Sequence, residues 1–262
     1  MAKIGEDEFE RLKSLAIRDR ILGAVSDFYI SDDGLLVPVY DETYLGSRII
    51  IPSLAMALSF YSFSDNTTVT SVKLGERVKI LYSGCFRMKE NLIEVIFNDM
   101  VETIGSFAFS FTGVVRLELP NSVKCIDTEA FGYAKNLEYI KLPRLLNKLG
   151  HTAFGKCSGL QAIELPENLI EIGNSMFHSC VSLKEIIIHS GCLSIDKAAF
   201  FDCSSLEKVT IEEGCTIICD EAFAGCSAIR FMKLPSSLKD VSVIAAVDAS
   251  DYAVRKLLDA KA

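Results

Sequence analysis

Residues 131–153 read FGYAKNLEYIKLPRLLNKLGHTA, and residues 154–176 read FGKCSGLQAIELPENLIEIGNSM. Both strings are 23 residues long and open on Phe. Set one above the other, they stack Leu137 on Leu160, Ile140 on Ile163, Leu142 on Leu165, Pro143 on Pro166 and Gly150 on Gly173. The same Phe recurs at positions 63, 86, 109, 131, 154, 177, 200 and 223, always 23 residues apart except for one step of 22. A fixed period of roughly 20–50 residues is the mark of a solenoid built from stacked like units.

The columns give each slot a role. Six residues after the Phe stand Val69, Leu92, Leu137, Leu160, Leu183, Leu206 and Ile229; nine after it stand Val72, Val95, Ile140, Ile163, Ile186, Val209 and Met232. Eleven after it stand Leu74, Phe97, Leu142, Leu165, Ile188, Ile211 and Leu234. The alternation of the last two columns is a period of two, which predicts a strand. Pro120, Pro143, Pro166 and Pro235 follow at once; each lacks a backbone donor and ends the strand. A fourth column holds Ile104, Ile126, Leu149, Ile172, Ile195, Ile218 and Val241, and Gly105, Asp127, Gly150, Gly173 and Asp196 follow its first five members as a turn prefers. Ala before the Phe, at 108, 130, 153, 199 and 222, leaves room for an inward ring. Each unit therefore reads as strand, turn, short extended piece and a turn carrying the Phe. The copy after Phe109 loses one residue in its turn, so Val114, Leu117 and Leu119 take its strand-side slots.

The succession L-x-x-I-x-L-P, then V-x-x-I-G, then A-F-x-x-C resembles the BspA-like (Treponema-type) leucine-rich repeat over about residues 49–242. The resemblance implies a leucine-rich repeat solenoid, mainly β, with short parallel strands, one per 23-residue coil, an N-terminal helix and capped ends. It also implies a bacterial or protozoan surface or secreted protein that binds other proteins. Three segments are expected: an N-terminal helix and degenerate cap over 1–48, about eight coils over 49–242, and a C-terminal cap helix over 243–262.

Bulk properties narrow the function. The net charge of −8 and a pI near 5.0 supply no basic stripe for phosphate, so nucleic acid is not an expected partner. No run of about 18 apolar residues offers a membrane span. Glu6, Asp7, Glu8 and Glu10 fall where a secretory signal needs an apolar run, so cytoplasm is expected of the chain as it stands, with the cell surface or secretion as the alternative if a leader was removed. Residues 5–26 follow loose helical spacing, Asp32-Asp33-Gly34 reads as a turn, and a short helix beginning near Asp248 carries Tyr252, Leu257 and Leu258.

Chemistry is sparse. Cys157, Cys180, Cys203 and Cys226 all stand three after the Phe and form a straight column, which cannot surround a zinc ion tetrahedrally. They read as small buried apolar residues, and an odd total of nine thiols suits a reducing compartment. Gly150–Lys156 imitates a phosphate loop but runs into Cys157 where Ser or Thr is needed. His151, His178 and His189 lie in different coils and different slots. No catalytic residue, metal ligand or cofactor is expected.

Slots eight and ten after the Phe point away from the core along the predicted strands. A repeat fold needs nothing particular there, so these positions are free for recognition. The expected partner-binding residues are Tyr139, Lys141, Glu164, Glu185, Ile187, Lys208, Phe231 and Lys233, with Tyr139, Ile187 and Phe231 as apolar anchors. The function they point to is a non-enzymatic scaffold recognising a partner protein on its strand (concave) face. The alternatives are a glycan- or host-surface-binding adhesin fragment, marked by clustered exposed aromatics, and a domain of a larger protein whose activity lies elsewhere.

Overall fold

The computed structural model describes residues 28–30, 35–38, 47–51, 53, 55–60, 62–63, 67–242 and 244–261. The helix expected over 5–26 and the turn at 32–34 lie outside them. A hairpin of β1 (Phe28–Ile30) and β2 (Leu35–Pro38) comes first, antiparallel. From there the strands, numbered in chain order, alternate between two parallel files. The odd file is β3 (Arg48–Ile50), β5 (Ser71–Lys73), β7 (Glu94–Ile96), β9 (Arg116–Glu118), β11 (Tyr139–Lys141), β13 (Ala162–Ile163), β15 (Glu185–Ile188), β17 (Lys208–Ile211) and β19 (Phe231–Lys233). The even file is β4 (Ala57–Leu58), β6 (Ile80–Leu81), β8 (Thr103–Ile104), β10 (Cys125–Ile126), β12 (Lys148–Leu149), β14 (Glu171–Ile172), β16 (Ser194–Ile195), β18 (Ile217–Ile218) and β20 (Asp240–Val241). The expected strand of each coil is the odd one. The short extended piece pairs as well, and forms the second file.

Register follows the repeat slot by slot. Tyr139 lies opposite Arg116 on one side and Ala162 on the other, and Val209 lies between Ile186 and Met232. Period-two alternation then puts every Ile140-type residue inward; Ile140, Ile186 and Val209 are at most 1% exposed. The odd ladder is interrupted between β7 and β9, where the 22-residue step falls, and again between β13 and β15.

The third side of each coil is the Phe turn. All eight Phe of the repeat are buried, and successive rings stack 5.0 to 5.5 Å apart between centroids. Offset-stacked aromatic pairs at such distances add about 0.5–1.5 kcal/mol each beyond their burial. The turn carries two left-handed residues, one two positions before the Phe and one two after, as at Glu129 (φ 53°) and Tyr133 (φ 61°). Left-handed backbone costs an ordinary L-residue about 1–2 kcal/mol. Here it aims the N–H forward: Glu129 N–H donates to His151 O at 3.1 Å and Tyr133 N–H to Gly155 O at 2.8 Å. Phe131 N–H between them donates to Ala153 O at 2.9 Å. Stacking thus fixes a backbone that no single coil would hold.

The short copy depends on one glycine. A Cβ at Gly113 would sit 2.0 Å from Glu90 O of the preceding coil, a backbone atom that cannot step aside. Gly113 N–H donates to Lys89 O at 3.2 Å, which holds the two chains together here. Gly113→Ala should cost about 2–3 kcal/mol, at the upper end of overpacking penalties. Gly132→Ala, whose Cβ would meet Glu129 O at 3.3 Å, should cost much less. Urea midpoints of the two variants measure the difference, and equal losses would contradict the close approach.

At the far end α1 (Asp251–Lys261) covers β19 and β20. Ser250 caps it: Ala253 N–H donates to Ser250 Oγ at 3.2 Å, satisfying one orphan amide of the first turn. Ala253 and Leu257 are its buried side, whereas Tyr252 and Leu258 of the expected stripe are exposed. Such a lid keeps the last coil from presenting bare strand edges.

Candidate functional site

The odd file positions every expected site residue on one outward surface. Phe231 is 46% exposed and Ile187 40%, while Tyr139 is half-buried. Burial alternates along β15 and β19, so this exposure is dictated by parity and not by loop mobility. The Arg116 guanidinium lies 4.9 Å from the centre of the Tyr139 ring, a cation–π contact that fixes the ring against the sheet. Glu185 and Lys208 stand opposite each other and form an ion pair at 2.5 Å, so their charges are largely satisfied within the protein. Glu164, Lys141 and Lys233 are exposed and form no ion pair among the described residues.

Two neighbours of this surface stand outside the expected partner-binding set. Ile50 and Ile96 occupy the same outward slot as Ile187 and are 49% and 45% exposed. A cleft of about 460 Å³ opens beside the interrupted ladder, lined by Arg48, Ser71, Glu94 and Arg116 among others. Ser71 Oγ donates to Glu94 Oε2 at 2.6 Å across its floor. The signal for these residues was available in the column alignment: they share outward slots with Tyr139 and Ile187.

On the Phe-turn side a second aromatic group forms from residues 22 or 23 apart. Phe111 stacks on Tyr133 at 4.3 Å, and the Lys156 ammonium lies 4.7 Å from the same tyrosine ring. With Phe111 and Lys156 both against it, Tyr133 offers little open face for stacking a sugar. Lys156, the last residue of the imitation phosphate loop, is therefore engaged with an aromatic ring; Lys156 Nζ also donates to Tyr133 Oη at 3.1 Å.

The thiol column is buried throughout. Cys157 Sγ donates to Phe131 O at 3.0 Å, and Cys180, Cys203 and Cys226 repeat the contact with Phe154, Phe177 and Phe200 at 3.1–3.2 Å. Burial pushes the Cys157 thiol up to about 12, and the other three rise for the same reason. Thiols held protonated are poor nucleophiles and poor metal ligands. All nine cysteines are free. Among the described residues no three His, Cys, Asp or Glu are placed to hold a metal ion. The histidines remain apart. His151 Nδ1 accepts from Asn174 N–H, His189 faces Glu212 at 3.5 Å, and burial with the Lys156 charge holds His178 below its usual value. No helix among the described residues is long and apolar enough to cross a membrane.

A parallel β-solenoid of 23-residue coils, with apolar ladders inside and variable strand slots outside, defines a leucine-rich-repeat protein. The BspA type leucine rich repeat region matches residues 40–138 and 124–245 in six copies, and the chain belongs to that family. Among solved structures it resembles the T. pallidum leucine-rich repeat protein, at 23% identity and a TM-score of 0.52, over 88% of this chain and 92% of the other. It also resembles a leucine-rich repeat protein from Bacteroides ovatus, at 20% identity and a TM-score of 0.50, over 83% and 78%. At these identities the likeness is one of fold. No curated protein matches the sequence.

Proposed function

We propose that the chain is a non-enzymatic scaffold that binds a partner protein on the outward face of its odd-numbered strands. The observation that carries this reading is the contrast between slots. The inward positions repeat one apolar pattern coil after coil, whereas the outward ones vary and leave Ile96, Ile187 and Phe231 in solvent. Isolated exposed apolar residues are ordinary, but these share one face with the ring of Tyr139 and unpaired cations. A glycan-binding adhesin is less well supported, since the aromatic cluster at Phe111 and Tyr133 is largely self-occupied. Nine free thiols support work in a reducing compartment.

The test uses the purified chain as bait in an extract of the organism that encodes it. Replacing Tyr139 and Lys141 together by Ala should leave the thermal midpoint within a degree or two, because both side chains face outward. It should weaken a partner at least tenfold, the loss of a hot-spot residue being worth about 2 kcal/mol or more. Unchanged capture by the double variant would remove this face from consideration.

A further inference from the structure

The outward slots of the odd file repeat on a second, longer period. Large apolar side chains stand on β3, β7, β11, β15 and β19: Ile50, Ile96, Tyr139, Ile187 and Phe231. The strands between carry Ser71 and Lys73, Arg116 and Glu118, Ala162 and Glu164, Lys208 and Thr210, with no large apolar group among them. An apolar anchor therefore recurs every second coil. Two coils span about 9.6 Å where strands are hydrogen-bonded. The measured ring spacing of 5.0 to 5.5 Å per coil makes the step slightly longer on the Phe side.

Few backbones match that step. An extended strand running along the solenoid brings same-face side chains back every 6.6–7 Å or so, out of phase with the anchors. A helix with a heptad pattern brings the same position back every seven residues, about 10.5 Å. The small mismatch is absorbed by a crossing angle of about 20°, common when helices pack. The anchors also shift between the two outward columns, with Ile50, Ile96 and Ile187 in one and Tyr139 and Phe231 in the other. That stagger suits a tilted rod.

Charge selects the kind of helix. The chain carries −8 overall, yet among the described residues Arg48, Lys73, Arg116, Lys141 and Lys233 on this face have no ion-pair partner. Against them stand Glu94, which accepts from Ser71, and Glu118 and Glu164. The remaining pair, Glu185 with Lys208, neutralises itself. The face is thus more basic than the molecule around it, and its ends, at Arg48 with Lys73 and at Lys233, are the basic parts. We infer that the strand face docks an acidic amphipathic helix laid along the solenoid axis, one heptad to every two coils. This rests on the protein-binding reading above and narrows it to a partner of stated shape and charge.

The probe is a synthetic peptide of about five heptads with Leu at a and d and Glu at e and g, whose own pairing is suppressed by its charge. Titrated into the full chain, it should bind one to one and gain helicity by circular dichroism. The affinity should fall as salt rises, because exposed charges are screened. Ile96→Ser with Ile187→Ser, two exposed positions, should lower affinity at least tenfold with the thermal midpoint retained. Lys73→Glu with Lys233→Glu should do the same through charge. A scrambled peptide of equal composition should not bind. Absence of binding, equal binding of the scrambled peptide, or indifference to the serine pair would overturn the inference. If the peptide fails while capture from extract still depends on Tyr139 and Lys141, the helix is excluded and the protein-binding face stands.

Discussion

Raising the pH from 8 to about 10.5 is expected to unfold this protein steeply. Cys85, Cys157, Cys180, Cys203 and Cys226 are fully buried, and burial raises each thiol above the value of about 8.5 that it has in an unfolded chain. Above that pH the unfolded chain releases protons that the native one keeps, so the native state binds more protons and its stability falls with pH. The contribution is complete below about pH 8.5 and is lost progressively as the pH climbs towards the native value, about 12 at Cys157. One thiol gives a slope of about 1.4 kcal/mol per pH unit, and five together roughly 7 kcal/mol per unit. A domain with some 5–15 kcal/mol in hand cannot absorb much of that. Urea midpoints under reductant, taken at intervals from pH 7 to 10.5, measure the slope. Replacing Cys157 and Cys180 by Ala should reduce it by about 3 kcal/mol per pH unit. An identical slope in that variant would mean the buried column is not the source.

The same column shows what a sequence reading reaches. Phe131, Phe154 and Phe177 announce the period because every inward slot meets the same surroundings in every coil, so like environments select like residues. The pair of slots around Ile140 and Leu142 announces the strand by parity, and the outward slots follow from it. What escapes is whatever depends on the next coil. Non-glycine residues such as Met88, Phe107 and Lys156 adopt left-handed backbone, and their side chains give no hint of it. The stabilising partner is a carbonyl some 22 residues on, as when Lys156 N–H donates to His178 O at 2.7 Å. The two-residue strands of the even file are likewise too short for a periodicity and exist by pairing alone. On the candidate surface, parity selects Tyr139, Glu185, Lys208 and Phe231 correctly as outward, but the ion pair of Glu185 with Lys208 appears only down the columns. Ile96 shares its outward column with Ile187, and Ile50 of the first coil belongs to the same column.

Removing one ring from the middle of the file should hurt more than removing one from its end. Phe177 lies 5.5 Å from Phe154 and 5.3 Å from Phe200, with no solvent exposure. Phe223, equally buried, stacks on Phe200 at 5.3 Å and on no further ring among the described residues. Phe177→Ala leaves a cavity in a close-packed core, a change that costs about 3–5 kcal/mol. Two ring contacts vanish with it, against one for Phe223→Ala, which adds a further difference of about 0.5–1.5 kcal/mol. The larger consequence concerns cooperativity. In a solenoid each coil is held by its neighbours, and stability is close to a sum of coil terms and interface terms. Phe177→Ala weakens both interfaces of one central coil, so the coils on either side lose their coupling. Unfolding of this variant in urea should broaden or separate into two steps, with hydrogen exchange rising first near the cavity. The Phe223→Ala protein should instead fray at one end and keep a single sharp transition for the remainder. Equal cost and equal sharpness in the two proteins would mean that the rings fill space without joining the coils, and the continuous core would have to be sought in the aliphatic columns alone.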